Sequence, residues 1–340
     1  MISVKKNGIV LETTNLRFEN QAVLNPACIK EGNIVHMFYR AVRKGDYISS
    51  IGYCKFDGPT KIIERAKKPI IYPEFDYEKH GIEDPRIVFL YGTYYLFYTA
   101  FDGRNALAAY ATSKDMKNWE KKGIITPKIT YKEAGELLHK SRLKERYFLF
   151  ETSYEGILGK DVLLWEKDAF LFPKKFKGKF ALVHRILPDM QVIYFDKFKE
   201  LTTEYWKKNL RHLSKYVILE SKYWYESRNI GGGCPPIETD KGWLLIYHAV
   251  EDSNKGKIYR TGVALLDKKN PCKLISHPRE PLFSPEKKWE ISGDINNVIF
   301  PTGAVIFGDR LYIYYGAADK RIAVASLDLN ELLTEMLKKQ

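Results

Sequence analysis

The chain has 340 residues, 45% hydrophobic and 29% charged, with a formal net charge of +13. This is the profile of a soluble globular protein with an extensive core. No apolar run reaches the roughly 18 residues of a membrane span, and the opening MISVKKNGIVLETTNLRF lacks the apolar stretch of a signal peptide. A cytoplasmic address without membrane contact is therefore expected. The lysine pairs, such as Lys67-Lys68, Lys174-Lys175 and Lys287-Lys288, are scattered and interleaved with acids, and no helix-turn-helix, zinc-finger or RNP-like pattern accompanies them. That argues against nucleic acid as a partner and leaves an anionic small molecule as one that the charge could serve. Cys28, Cys54, Cys234 and Cys272 form no CxxC pair, so no disulfide framework or zinc site is expected and burial is their simplest role.

In chain order, five segments share a Gly-containing turn followed by alternating aromatic and aliphatic residues ending in a polar tip. They are Glu31–Ala41, Tyr91–Ala100, Lys177–Ile186, Lys241–Val250 and Gly308–Asp319. Such runs are strands. After most of them a second strand rich in small residues follows, starting at Ile48, Asn105, Arg260 and Arg321. A hairpin recurring about every 60 residues, with almost no helical periodicity between, is a blade repeat. The expected fold is all-β, one five-bladed β-propeller domain over residues 1–340, with a β-sandwich or two smaller β-domains as the alternative. The segment 128–165 does not fit a blade. Its YKEAGELLHKSRLKERYFLFE is spaced like a helix and predicts a partly helical insertion, a rim helix, a lid or an oligomer contact.

In a propeller, the same end of every blade faces one central funnel, so Arg40, Arg185, His248 and Asp319 at the strand tips are expected to converge. Gly81-Ile82-Glu83-Asp84-Pro85-Arg86 places a carboxylate before a proline on a loop entering a strand, a position suited to a general acid. The alternative is an ion pair of Asp84 with Arg86 around a turn shaped by Pro85. Lys167, Asp168, Arg185 and His248 form a mainly cationic group, and lysine and arginine supply the charge and directed donors that a phosphate dianion requires. The run Gly231-Gly232-Gly233-Cys234-Pro235-Pro236 is not a nucleotide cradle, because two prolines stand where a helix would have to begin, and it reads as a loop bent near the axis. No HExxH, nucleophile elbow or calcium loop is present, so neither metal nor acyl-transfer chemistry is expected.

From about Leu24 to Leu327 the motifs resemble glycoside hydrolase family 130, the β-mannoside phosphorylases and related mannosidases. The resemblance is carried by Asn25-Pro26-Ala27 with Tyr39-Arg40-Ala41, Glu83-Asp84-Pro85-Arg86, Lys167-Asp168-Ala169 with Phe172-Pro173, and His184-Arg185. It continues through Gly242 to His248, Asn297 to Gly303, and Tyr315 to Asp319. It implies a five-bladed propeller, with Asp84 as proton donor, Lys167, Arg185, His248 and Tyr259 around phosphate, and Asn25, Arg40, Asp168 and Asp319 around the sugar. Lys167 stands where some members have arginine, which keeps the charge but not the bidentate geometry.

The implied reaction is inverting phosphorolysis of a β-mannoside, β-1,2-mannobiose or a short β-1,4-mannooligosaccharide, to α-mannose 1-phosphate and a shortened acceptor. Inorganic phosphate is a co-substrate, no cofactor or metal is needed, and a homo-oligomer is compatible with the sequence. A hydrolase of the same family would lack the phosphate cluster, and a carbohydrate-binding propeller without catalysis would have no use for Asp84. Acceptor and linkage stay open at this stage.

Overall fold

The computed structural model describes residues 2–254 and 256–338, leaving residues 1, 255, 339 and 340 of the expected domain outside the description. Its sheets form five units, four of four strands and one of five, the five-bladed propeller that the repeat predicts. Blade 1 holds β2 (Ala22–Glu31), β3 (Ile34–Val42), β4 (Ser49–Asp57) and β5 (Lys61–Arg65), while β1 (Lys5–Leu11) belongs elsewhere. Blade 2 holds β6 (Gly81–Leu90), β7 (Thr93–Phe101), β8 (Ala106–Ser113) and β9 (Glu120–Ile124). Among the described residues, the one strand pairing between these two blades is the parallel bridge of Ser49 with Gly81.

Blade 3 holds β10 (Phe170–Leu171), β11 (Phe180–His184), β12 (Met190–Phe195) and β13 (Val217–Leu219). Blade 4 holds β14 (Asn229–Gly232), β16 (Trp243–Ser253), β17 (Gly256–Leu266) and β18 (Leu274–Ser276), with the short β15 (Ile237–Glu238) also paired to β16. Blade 5 is built from both ends of the described chain: β19 (Ile299–Phe307), β20 (Arg310–Ala317) and β21 (Arg321–Asp328) pair in order, and β1 adds the outer strand against β21.

The repeated hairpins are the second and third strands of each blade. The first strand was not legible as a repeat, because it is short or bulged: the ladder is interrupted between Leu24 and Ala27, between Glu83 and Arg86, and between Pro301 and Gly303. A bulge bends a strand and re-aims its side chains. Asn25 and Asp84 lie in two of these bulges with φ of 48° and 51°, and Asp168, just before β10, has φ 58°. Asparagine and aspartate tolerate this left-handed region better than other side-chain-bearing residues. Asp84 thus lies within strand β6, not on a loop before it. Gly231 and Gly232 likewise belong to strand β14, where a side chain at Gly231 would run into His248 and Asp168.

The blades share a second repeat, a belt of buried carboxylates. An aromatic-glutamate pair precedes every first strand: Phe18-Glu19, Tyr77-Glu78, Trp165-Glu166, Tyr225-Glu226 and Trp289-Glu290. All five glutamates are fully buried. Four accept a hydrogen bond from a tyrosine of the second strand: Tyr39 to Glu19 (2.6 Å), Tyr98 to Glu78 (2.8 Å), Tyr247 to Glu226 (2.5 Å) and Tyr315 to Glu290 (2.5 Å). The same four meet a basic side chain from the outer part of the blade, Arg65 (2.9 Å), Lys121 (2.7 Å), His277 (2.8 Å) and Lys6 (2.7 Å) respectively. A buried charge is tolerated only when paired and hydrogen-bonded, so each latch ties the inner, second and outer layers of its blade together.

The segment 128–165 contains helices α1 (Tyr131–Leu138) and α2 (Arg146–Leu158), as its spacing predicts. Thr130 caps α1, accepting from the Glu133 amide while the Glu133 side chain accepts from Thr130. The helices share a small core of Ile129, Tyr131, Leu138, Tyr147, Val162 and Leu164 with Leu210 and Leu213, which belong to a helical excursion between β12 and β13.

Candidate active site

All nine residues singled out from the sequence, Asn25, Arg40, Asp84, Lys167, Asp168, Arg185, His248, Tyr259 and Asp319, line one cavity of about 600 Å³ at the blade centre. Asn25 and Asp84 reach it from first strands, Arg40, His248 and Tyr259 from second or third strands, and Lys167, Asp168, Arg185 and Asp319 from residues that flank a strand. The convergence expected of the strand tips is therefore met, although the innermost strands are the ones before the recognised hairpins.

The Asp84 carboxylate is held from two sides. Asn25 donates to its Oδ1 at 2.7 Å, and Arg40 Nη1 lies 3.5 Å from the same atom. Arg86 does not pair with this carboxylate: its Nη1 donates to the Asp84 backbone carbonyl at 2.7 Å, and its Nη2 donates to Asp168 Oδ1 at 3.1 Å and to the Gly232 carbonyl at 2.9 Å. Its Nε donates to the Gly233 carbonyl. Fully buried, Arg86 is a rivet across blades 2, 3 and 4, and the alternative reading of an Asp84–Arg86 ion pair is set aside.

Glu83, quoted within the motif but not selected as a site residue, sits between two cations. Its carboxylate takes Arg40 Nη2 at 2.7 Å and Lys167 Nζ at 3.0 Å. Burial pushes its pKa up, but Arg40 and Lys167 outweigh this and hold it below the usual range. Asp168 plays the matching part on the other side, facing Arg185 Nη1 at 2.6 Å and His248 Nε2 at 3.9 Å. Burial pushes its pKa up too, but the guanidinium groups of Arg185 and Arg86 outweigh this and hold it below the usual range. Burial drives the His248 pKa down to about 3, so this imidazole is neutral and contributes a hydrogen-bonding group, not a charge. It stacks on Phe300 at 4.3 Å and lies alongside Tyr259.

Two features of the cavity escaped the sequence. Tyr154 of α2 and Trp165 line its wall, 5.0 Å apart and edge to face, which gives the insertion a direct place at the site. Arg228, Asn229 and Lys257 add polar groups on the blade 4 side. Asp319 has no short ionic partner among the described residues. Its carboxyl is pushed up to about 6 by burial first, against the pull of Arg40 and with repulsion from Asp84, Asp294 and Glu83.

Several donors here are not used by the protein. Lys167 directs its ammonium at one carboxylate oxygen, and the buried Arg185 Nε and His248 Nδ1 have no hydrogen-bond partner among the described residues. A site rich in uncommitted donors, with acids set behind them, can receive an anion while remaining compensated when empty.

The family model described as beta-1,4-mannooligosaccharide phosphorylase matches residues 5–338. The chain belongs to glycoside hydrolase family 130. It is 37% identical over 326 residues to the beta-1,2-mannobiose phosphorylase of Thermoanaerobacter sp. (strain X514), covering 92% of this chain and 91% of that one. It is 33% identical over 344 residues to the 1,2-beta-oligomannan phosphorylase of the same organism, covering 98% and 99%. Among solved structures, the beta-1,2-mannobiose phosphorylase of Listeria innocua in complex with beta-1,2-mannobiose superposes with a TM-score of 0.74 at 21% identity, over 99% of this chain and 100% of the other. At that identity the superposition speaks to the fold, which it shares from end to end. Among the described residues no helix is long and apolar enough to cross a membrane.

Proposed function

We propose that this family 130 protein is an inverting β-mannoside phosphorylase acting on β-1,2-linked mannose disaccharides or short oligosaccharides, releasing α-mannose 1-phosphate. The observation that carries the reading is the convergence of Lys167, Arg185, His248 and Tyr259 on the cavity that also holds Asp84. The two Thermoanaerobacter relatives, named for β-1,2 linkages, favour that linkage over β-1,4.

An inverting glycosidase needs one carboxylic acid to protonate the departing oxygen and a second carboxylate to activate water. Phosphate is already an anionic oxygen nucleophile, so a pocket that orients it replaces the second carboxylate. Asp84 is the acid, delivering its proton directly or through a sugar hydroxyl. Arg40, Asn25 and Asp319 hold the transferred mannose. Lys167 and Arg185 carry the charge that draws phosphate in, and His248 and Tyr259 add directed groups without adding charge. Asp168 supports the sugar side while anchoring Arg185. Mannose C1 exchanges its bond to the acceptor oxygen for one to a phosphate oxygen, with inversion, and the acceptor leaves carrying the proton. No cofactor enters this scheme, and a cytoplasmic setting would retain the sugar phosphate.

The reverse reaction tests the assignment and the acceptor together. Purified protein is incubated with α-mannose 1-phosphate and mannose, glucose or N-acetylglucosamine, and the linkage of each product is determined. Mannose as the best acceptor, with a β-1,2 product and release of phosphate, is the expected result. No product with any acceptor would overturn the assignment.

A further inference from the structure

The belt of buried glutamates is regular in four blades and altered in the third. There the second strand supplies His184 in place of tyrosine, and its Nδ1 lies 3.2 Å from each Glu166 oxygen. No outer-strand cation joins the pair among the described residues. In blades 2, 4 and 5 the second carboxylate oxygen turns back on its own chain, accepting the amides four and three residues earlier: Glu74 and Phe75, Lys222 and Tyr223, Glu286 and Lys287. Glu166 makes no such turn. Its Oε2 accepts the backbone N–H of Arg185 at 3.3 Å.

The spacing differs as well. Six positions separate Glu19 from Asn25 and Glu78 from Asp84, whereas Glu166 is followed at once by Lys167 and Asp168. One carboxylate therefore grips the peptide that begins with Lys167-Asp168 and the peptide that ends with His184-Arg185. These two peptides carry both full cations assigned to phosphate, together with the carboxylate that anchors Arg185.

We propose that Glu166 and His184 are positioning residues for the phosphate pocket: blade 3 has given up the self-contained latch of its sisters and uses the carboxylate to fix Lys167 and Arg185 relative to each other. Neither residue needs to touch substrate. The inference rests on the phosphorylase reading and adds to it two residues that act through the peptides they hold. The sister latches supply controls of the same chemistry at a distance. Tyr315→Phe breaks the latch of blade 5, where the residue that follows, Gly316, carries no side chain into the phosphate pocket.

The test uses the intact protein and two readouts, calorimetric binding of inorganic phosphate and steady-state kinetics with phosphate and mannoside varied separately. Glu166→Gln preserves shape but removes the negative charge and puts an amide donor in place of one of the two oxygens that face His184, and it should raise the Michaelis constant for phosphate by about 10-fold or more while that for mannoside stays within about 2-fold. Tyr315→Phe should lower the melting temperature and leave both constants unchanged. His184→Asn, whose amide can take the place of Nδ1–H, should restore near-native phosphate affinity, whereas His184→Leu should not; this pair decides the matter if Glu166→Gln fails to fold. Equal phosphate binding by wild type, Glu166→Gln and His184→Leu would overturn the positioning role, as would parallel rises in both Michaelis constants, which would mark a general loosening of the fold. If wild type itself binds no phosphate, the phosphorylase reading falls first, an outcome distinct from the other two.

Discussion

The belt and the funnel are both rings of acids met by hydroxyls and bases, yet they are finished in opposite ways. In the belt, four of five carboxylates have a tyrosine and a basic side chain at 2.5–2.9 Å, and those four glutamates are fully buried in closed sets of partners. In the funnel, acids and bases also meet, but Arg40 Nε, Arg185 Nε, Asn25 Oδ1 and His248 Nδ1 have no partner among the described residues. Backbone differs in the same sense: Asn25, Asp84, Asp168 and Asp319 all have φ between 48° and 58°, while the five belt glutamates do not appear among the positive-φ residues. Satisfied buried groups rigidify a fold, and unsatisfied or strained ones mark where a ligand is expected to complete the set. The belt closes each blade on itself, while the funnel leaves polar groups open where the blades meet.

The sharpest way to break this contrast is to remove one member of each ring. Asp84→Asn keeps size and hydrogen-bonding capacity but cannot deliver a proton. General acid catalysis contributes about 10²–10⁴-fold, so turnover should fall by that order while melting temperature and mannoside affinity stay near wild type. Tyr315→Phe is its mirror image. A hydrogen bond to a charged group is worth about 1.5–3 kcal/mol, so urea denaturation should show a loss of that size with turnover of the folded protein unchanged. A stable Asp84→Asn protein with near-native turnover would remove Asp84 from the mechanism, and a Tyr315→Phe protein with lost activity but full stability would dissolve the distinction between the rings.

A smaller effect is expected from Asp319. Its folded carboxyl sits at about 6, against an ordinary value of 3.8, chiefly because it is buried. Between those values the folded state binds more protons than the unfolded state, so this residue's contribution to stability declines as pH rises from 4 through 6. Asp319→Asn lacks that decline. The melting temperature of the variant relative to wild type should therefore climb across this window, and a constant difference would show that Asp319 does not titrate there.

The second and third strands were legible because their side chains alternate over long, well-paired ladders. The first strands were not legible as a repeat, since bulges at Asn25-Pro26, Asp84-Pro85 and Thr302 interrupt the alternation that marks a strand. Bulging is also what turns Asn25 and Asp84 toward the cavity, so the positions hardest to read as strand are those that build the site. The nine site residues could be named from motif resemblance and strand ends, whereas Glu83 could have been found from its place inside a quoted motif. Tyr154 could not: it stands on α2, whose own pattern carries no sign that it overhangs the cavity. The aromatic-glutamate pairs were visible in the chain as five recurrences, but an isolated Phe18-Glu19 or Trp289-Glu290 looks like any surface dipeptide until burial gives it a role.

The central claim is that the funnel's uncommitted donors receive phosphate and that phosphate, not water, takes the mannosyl group. The most direct measurement is cleavage of β-1,2-mannobiose with and without added phosphate, with both sugar products identified. The account predicts cleavage that depends on phosphate and yields one mannose 1-phosphate of α configuration for each free mannose; equal rates without phosphate, with free mannose as the only product, would contradict it.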